Sequence, residues 1–191
     1  PDDKKLVQLL KEEDVFEKKR AVEGDSLGRD VSDNLQDIEV RAQLAAQQLS
    51  AGNYAKVMEV TGDLQNDQYK KQPVLLELRG KAQVLLGEYD AAQATFEQWT
   101  KNSPQSADAY FYYGDTLLRS GDKVVAQQAL KRALEIDPKH LLARVAEIKL
   151  LWLLNKIDVA QQALAQLKKD FDNRVEVQSI AGWLALKTGD F

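Results

Sequence analysis

The sequence predicts an all-α chain: a right-handed solenoid of antiparallel helix pairs. Three observations lead there. Gly87-Glu88-Tyr89, Gly121-Asp122-Lys123, Asn155-Lys156-Ile157 and Gly189-Asp190-Phe191 begin 34 residues apart, at 87, 121, 155 and 189. A repeat of that length marks stacked helix–turn–helix arrays. The 191 residues include only 10 Gly and 4 Pro, which suits long helices joined by short turns better than sheets. Small residues also recur on the ruler, as Gly80, Gly114 and Gly182 and as Ala92, Ala126 and Ala160. Two antiparallel helices can approach within about 8 Å only where side chains are nearly absent.

Residues 1–37 fall outside the ruler. Leu6, Val7, Leu9, Leu10, Val15 and Phe16 suggest a charged amphipathic helix to about Arg20, and 23–28 read as a loop. The segment is expected to cap the array; an arm that binds a partner is the alternative. Pro1 in place of an initiator Met leads us to expect a missing upstream segment. Residues 38–72 form a degenerate unit, with Ala45 and Val57 at the close-contact positions and a looser turn at Gly52-Asn53-Tyr54.

Three full units follow at 73–106, 107–140 and 141–174. In each, the first helix takes about fourteen positions and the second spans about positions 17 to 30. Leu76 and Tyr110, then Phe96, Leu130 and Leu164, fill the space around the close contact. Pro104 and Pro138 stop the second helix, because proline lacks the amide donor and clashes with the preceding turn. Asp172 stands at the same place in the next unit as a weaker stop. Ile148 replaces the small residue of the fourth unit, so that pair should be splayed or repacked.

The last segment, 175–191, is the first helix of an incomplete unit. Val175, Val177, Ile180, Trp183, Leu184 and Leu186 make it apolar all round, and such a helix expects cover. A further helix starting near Phe191 is the expected cover; self-association with a second copy is the alternative.

These residues resemble the tetratricopeptide repeat. The match runs through Gly80, Gly87, Tyr89, Ala92, Phe96 and Pro104, then Tyr110, Gly114, Leu117, Gly121, Ala126, Ala133 and Pro138, over about residues 38–191. Arg79, Trp99 and Arg144 depart from the family pattern, which usually has an apolar or small residue there. The resemblance implies a superhelix whose first helices line a concave groove, with positions 2, 5, 9 and 12 of each unit facing it. On that template Lys81, Phe111, Asp115, Val145, Lys149, Trp152 and Trp183 are the candidate partner-binding residues. Phe111, Trp152 and Trp183 would supply aromatic anchors, with core packing as the competing reading. Lys81, Asp115 and Lys149 would orient a peptide by charge.

The composition narrows the function. Net charge is −4, which argues against broad binding to nucleic-acid phosphates or anionic membrane. Residues 1–40 hold twelve acidic and seven basic side chains, so the repeats themselves are near neutral. No apolar run reaches the roughly 18 residues of a membrane span. Cysteine is absent, which removes disulfides and thiol chemistry. The single histidine, His140, lies in a turn and is expected to be solvated, without partners for a triad or a metal site. No enzyme, cofactor or metal is expected. The leading expectation is a protein–protein interaction scaffold that binds a peptide segment or helix in the groove. An assembly module of a bacterial cell-envelope or polysaccharide-secretion system, on resemblance alone, and a regulatory domain of a larger protein are the alternatives.

Overall fold

Glycine conformation explains the ruler. In the computed structural model, which describes residues 38–62, 72–171 and 173–189, Gly52, Gly87, Gly121 and Gly189 have φ of 77°, 80°, 95° and 78°. Each closes a first helix in the left-handed region, where a Cβ is penalised. Asn155 holds the same conformation at φ 58°, and asparagine is among the side chains that tolerate it best. The fourth copy of the signature therefore kept the backbone and changed the residue.

Regular structure among the described residues is entirely helical. The order is α1 (Ile38–Ser50), α2 (Tyr54–Val60), α3 (Pro73–Leu86), α4 (Tyr89–Asn102), α5 (Ala107–Ser120), α6 (Lys123–Ile136), α7 (Leu141–Leu153), α8 (Ile157–Asp170) and α9 (Val175–Thr188). From α3 onward the bounds sit on the expected positions, with α7 one residue short. Local chemistry sets the starts. Pro73 occupies the first turn of α3, where its missing N–H has no partner to lose. Ser106 and Asp122 accept the backbone N–H of Ala109 and Val125 at 3.2 and 3.1 Å. The proposed roles of residues 1–37, Asp172 and Phe191 lie outside the described residues.

Each helix packs on its partner and on the next pair. The side chain that fills the glycine notch differs along the array. A Cβ at Gly80 would lie 2.4 Å from the Phe96 ring, and one at Gly114 would lie 2.9 Å from Leu130. Ile148, at the third such position, is 1% exposed and joins Ala160, Leu164 and Leu167 in one cluster. The α7–α8 pair is in looser contact than the two pairs before it, as the larger residue requires. At the start of the array, Ala45 and Val57 are fully buried together with Leu44, Val60, Leu78 and Ala82, which joins α1 and α2 to α3.

The three departures from the family pattern each have a local account. Arg79 donates to the carbonyls of Thr61 and Met58 at 3.3 and 3.4 Å, satisfying groups at the end of α2 that have no helical acceptor role left. Trp99 is buried, stacked on Tyr112 with centroids 6.0 Å apart and tilted against Phe96 at 6.2 Å. Arg144 ties α7 to the end of α8 through Asp170 at 2.6 Å and lies over the Phe171 ring.

One side chain in this layer stands against stability. Burial pushes the Glu147 carboxyl up, and Arg144 nearby pulls it down by less. A carboxyl whose folded value exceeds its unfolded value contributes most below the unfolded value, about 4.3. That contribution is lost as pH rises through the folded value. Glu147→Gln is therefore expected to raise the unfolding midpoint at pH 7 and to leave it nearly unchanged at pH 4. Urea titrations at both pH values check it, and an equal shift at both would refute the burial account.

Candidate functional site: a cleft between the last two first helices

Helices α5, α7 and α9 are the first members of successive pairs and lie side by side. Between α7 and α9 they leave a cleft of about 430 Å3. Its walls are Leu142, Val145 and Lys149 from α7 and Val175, Glu176, Ser179, Ile180 and Trp183 from α9. These residues come from a spacing of three and four along each helix, which puts them on one face. The volume falls within the range of sites that take a small ligand or a few side chains.

Four of the seven candidate residues meet here. Val145, Lys149 and Trp183 line the cleft, and the Trp152 ring sits edge-on to Trp183 with centroids 5.2 Å apart at 77°. That arrangement suits the aromatic quadrupole, positive edge to negative face. Both indoles are half-buried, so they are neither core nor fully solvated. Lys187 adds a cation 5.7 Å from the centroid of Trp152.

The other three candidates lie elsewhere. Lys81 is ion-paired to Glu77 one turn away and stands 4.7 Å from the Tyr112 ring centroid. Burial works against its ammonium, but hydrogen bonds to Glu77 and Tyr112 outweigh that and raise its pKa. Asp115 is held by Arg119 at 2.8 Å. Phe111 is 7% exposed, which corrects the expectation that it projects into the groove. Ala143 and Ala146 on α7 are small enough for that helix to close over the ring, and Leu130, Ala133 and Leu150 complete the packet. Tyr112 and His140 flank it, at ring separations of 4.8 and 5.3 Å.

His140 needs a second correction, because its side chain is not solvated. Only 11% of it is exposed. Nδ1 accepts the Ala143 N–H at 3.1 Å as the cap of α7, so the ring proton lies on Nε2. Nε2 stands 3.0 Å from the Asp108 carboxylate and donates to it. This histidine joins one helix pair to the next. Among the described residues no three His, Cys, Asp or Glu side chains are placed to hold a metal ion, and no helix is long and apolar enough to cross a membrane.

The reading by position missed Val175, Ile180 and Lys187, which stand at positions 1, 6 and 13 of their unit and not on the groove template. Helix α9 also differs from the expectation of an apolar surface all round. Val177, Ile180 and Leu184 are buried, whereas Gln178, Ser179, Gly182 and Lys187 are exposed. Val175 and Leu186 are its exposed large apolar residues.

Comparison with known proteins adds the family and the fold. Two tetratricopeptide repeat models match, over residues 78–140 and 117–184, and together they span more than half of the chain. The transcriptional regulator HilA of Salmonella typhimurium is 28% identical over 117 residues, which is 60% of this chain and 21% of that regulator. The chain thus spans about a fifth of the curated relative's length. A tetratricopeptide repeat protein from Parabacteroides merdae superposes with a TM-score of 0.75 at 17% identity, covering 87% of this chain and 66% of that one. The repeat protein YrrB, whose structure is described as having an unusual peptide-binding site, superposes at 0.64 with 17% identity, covering 87% and 86%.

Proposed function

The chain belongs to the tetratricopeptide repeat family, and on that premise we propose that it is an interaction scaffold that holds a peptide segment in the α7–α9 cleft. The carrying observation is the Trp152–Trp183 pair beside a cleft floored by aliphatic side chains. Half-buried indoles bring large apolar area with only two side-chain torsions to fix, and such residues dominate the energy of recognition surfaces. The peptide-binding site described for YrrB supports this use of the fold. No step of covalent chemistry is assigned to the site: His140, the one histidine, is already committed to a helix cap and to Asp108.

Selection from a randomised peptide display library tests the reading. Peptides enriched on the wild-type chain are expected to bind Trp183→Ala about thirtyfold more weakly, as for the loss of a central aromatic anchor. Lys81→Ala, remote from the cleft, is expected to bind them as the wild type does. Enrichment of nothing, or of peptides indifferent to Trp183→Ala, would refute it.

A second reading has one observation behind it. HilA, a transcriptional regulator of which this chain matches 21%, supports a reading of the chain as a regulatory domain of a larger protein. On that reading the native gene product is well above 191 residues. Intact-mass measurement from the source cells decides it, and a product of this length alone would remove the idea.

A further inference from the structure

Most charges on the predicted groove positions are neutralised within the array. Lys81 pairs with Glu77, Asp115 with Arg119 at 2.8 Å and Glu176 with Arg174 at 3.3 Å, while Asp108 accepts a hydrogen bond from His140 Nε2 at 3.0 Å. Lys149, at a groove position, and Lys187, one position beyond the last of them, have no carboxylate within ion-pair distance among the described residues.

Their placement is regular. Lys149 precedes Trp152 by three residues on α7, and Lys187 follows Trp183 by four on α9, so each lysine shares a helix face with a tryptophan. Lys187 lies over Trp152 on the opposite helix, and Trp183 shares the cleft wall with Lys149. The result is a small checkerboard of two cations and two indoles, at the edge of an apolar floor made by Leu142, Val145 and Ile180.

Resting on the peptide-binding reading above, we propose that the cleft selects an internal acidic segment of a protein partner. Apolar side chains of that segment seat on the cleft floor, and two side-chain carboxylates meet Lys149 and Lys187. The floor requires apolar groups, which a phosphate backbone does not bring. Two cations on two helices also match side-chain carboxylates along a segment better than the single anion of a chain end.

Three labelled peptides with blocked ends test it, each with a Leu-Phe centre flanked by two Glu, two Gln or two Lys. Fluorescence anisotropy with the full chain at about 0.1 M salt is expected to rank Glu above Gln by about threefold to tenfold, with Lys weakest. The preference should nearly vanish at about 1 M salt, where the screening length is near 3 Å. The double reversal Lys149→Glu with Lys187→Glu is expected to invert the order, and its gain of the Lys peptide shows that the variant is folded. Equal binding of all three peptides, or an order unchanged by the reversal, would overturn the proposal. If the Gln peptide binds the wild type, loses to Trp183→Ala and shows no charge preference, the cleft stands and only the acidic selectivity falls. If no peptide binds, both fall. A free-acid Gln peptide that equals the blocked Glu peptide would identify a chain end as the ligand and overturn the internal segment.

Discussion

Phe96→Ala is expected to cost about 3–5 kcal/mol of stability, the usual range for removing a fully buried aromatic ring. The ring is 0% exposed and fills the notch at Gly80 on α3. It stacks on Tyr112 of α5 at 5.4 Å and lies beside Trp99 of its own helix. A single side chain therefore joins three helices and two repeats. In a linear array each repeat touches only its neighbours, so a lost interface cannot be shared out across a wider core. The unfolding transition should move to lower urea, and its slope should fall if the array breaks at this joint. Phe96→Leu is expected to cost less, since leucine keeps part of the buried apolar volume and leaves a smaller void. Circular dichroism across a urea series measures both variants. A loss below about 1 kcal/mol for Phe96→Ala would mean that the ring is not the joint described here.

The helices were legible because their ends depend on single residues. Gly87, Gly121 and Gly189 fall on a 34-residue beat that can be counted without knowledge of the neighbours, and the structure adds the left-handed turn at each, the first turn at Pro73 and the caps at Ser106 and Asp122. The candidate site was legible only in part. Val145, Lys149, Trp152 and Trp183 come together because the repeat spacing alone carries them to the same face. Phe111 stands at the same repeat position as Val145, yet the two differ in exposure. What decides it is the size of Ala143 and Ala146 on the next helix, a pairwise fact that a positional template does not contain. The Asp108–His140 bond spans 32 residues and is hidden for the same reason. By contrast, Glu77 with Lys81 and Asp115 with Arg119 are four residues apart on one helix, so their pairing was available from spacing. Those two pairs explain why groove charges that look free in a list of positions are already satisfied in the fold.

The same substitution at two equivalent glycines should have opposite signs. Gly80 and Gly182 share the eighth position of their units, three repeats of 34 residues apart, and both lie inside a helix. Alanine inside a helix is favoured over glycine by about 0.5–1 kcal/mol, because the unfolded chain has less freedom to lose. At Gly182 nothing lies within 4 Å of the added Cβ, so that gain is the whole effect and Gly182→Ala is expected to stabilise. At Gly80 the Cβ would stand 2.4 Å from two carbons of the Phe96 ring, and the ring has no solvent-facing side to retreat to. Overpacking of this sort costs about 1–3 kcal/mol, occasionally more, which exceeds the helical gain. Gly80→Ala should therefore destabilise by about 1–2 kcal/mol net. Combining it with Phe96→Leu should recover part of the loss, since the shorter side chain vacates the position that the new methyl claims. A steric origin predicts that recovery, whereas a backbone origin predicts none, and thermal melts of the two single variants and the double variant distinguish them. If a helix covers Gly182 when the chain is bound to a partner, Gly182→Ala would stabilise the free chain and weaken that complex, whereas a face that stays open would leave binding unchanged.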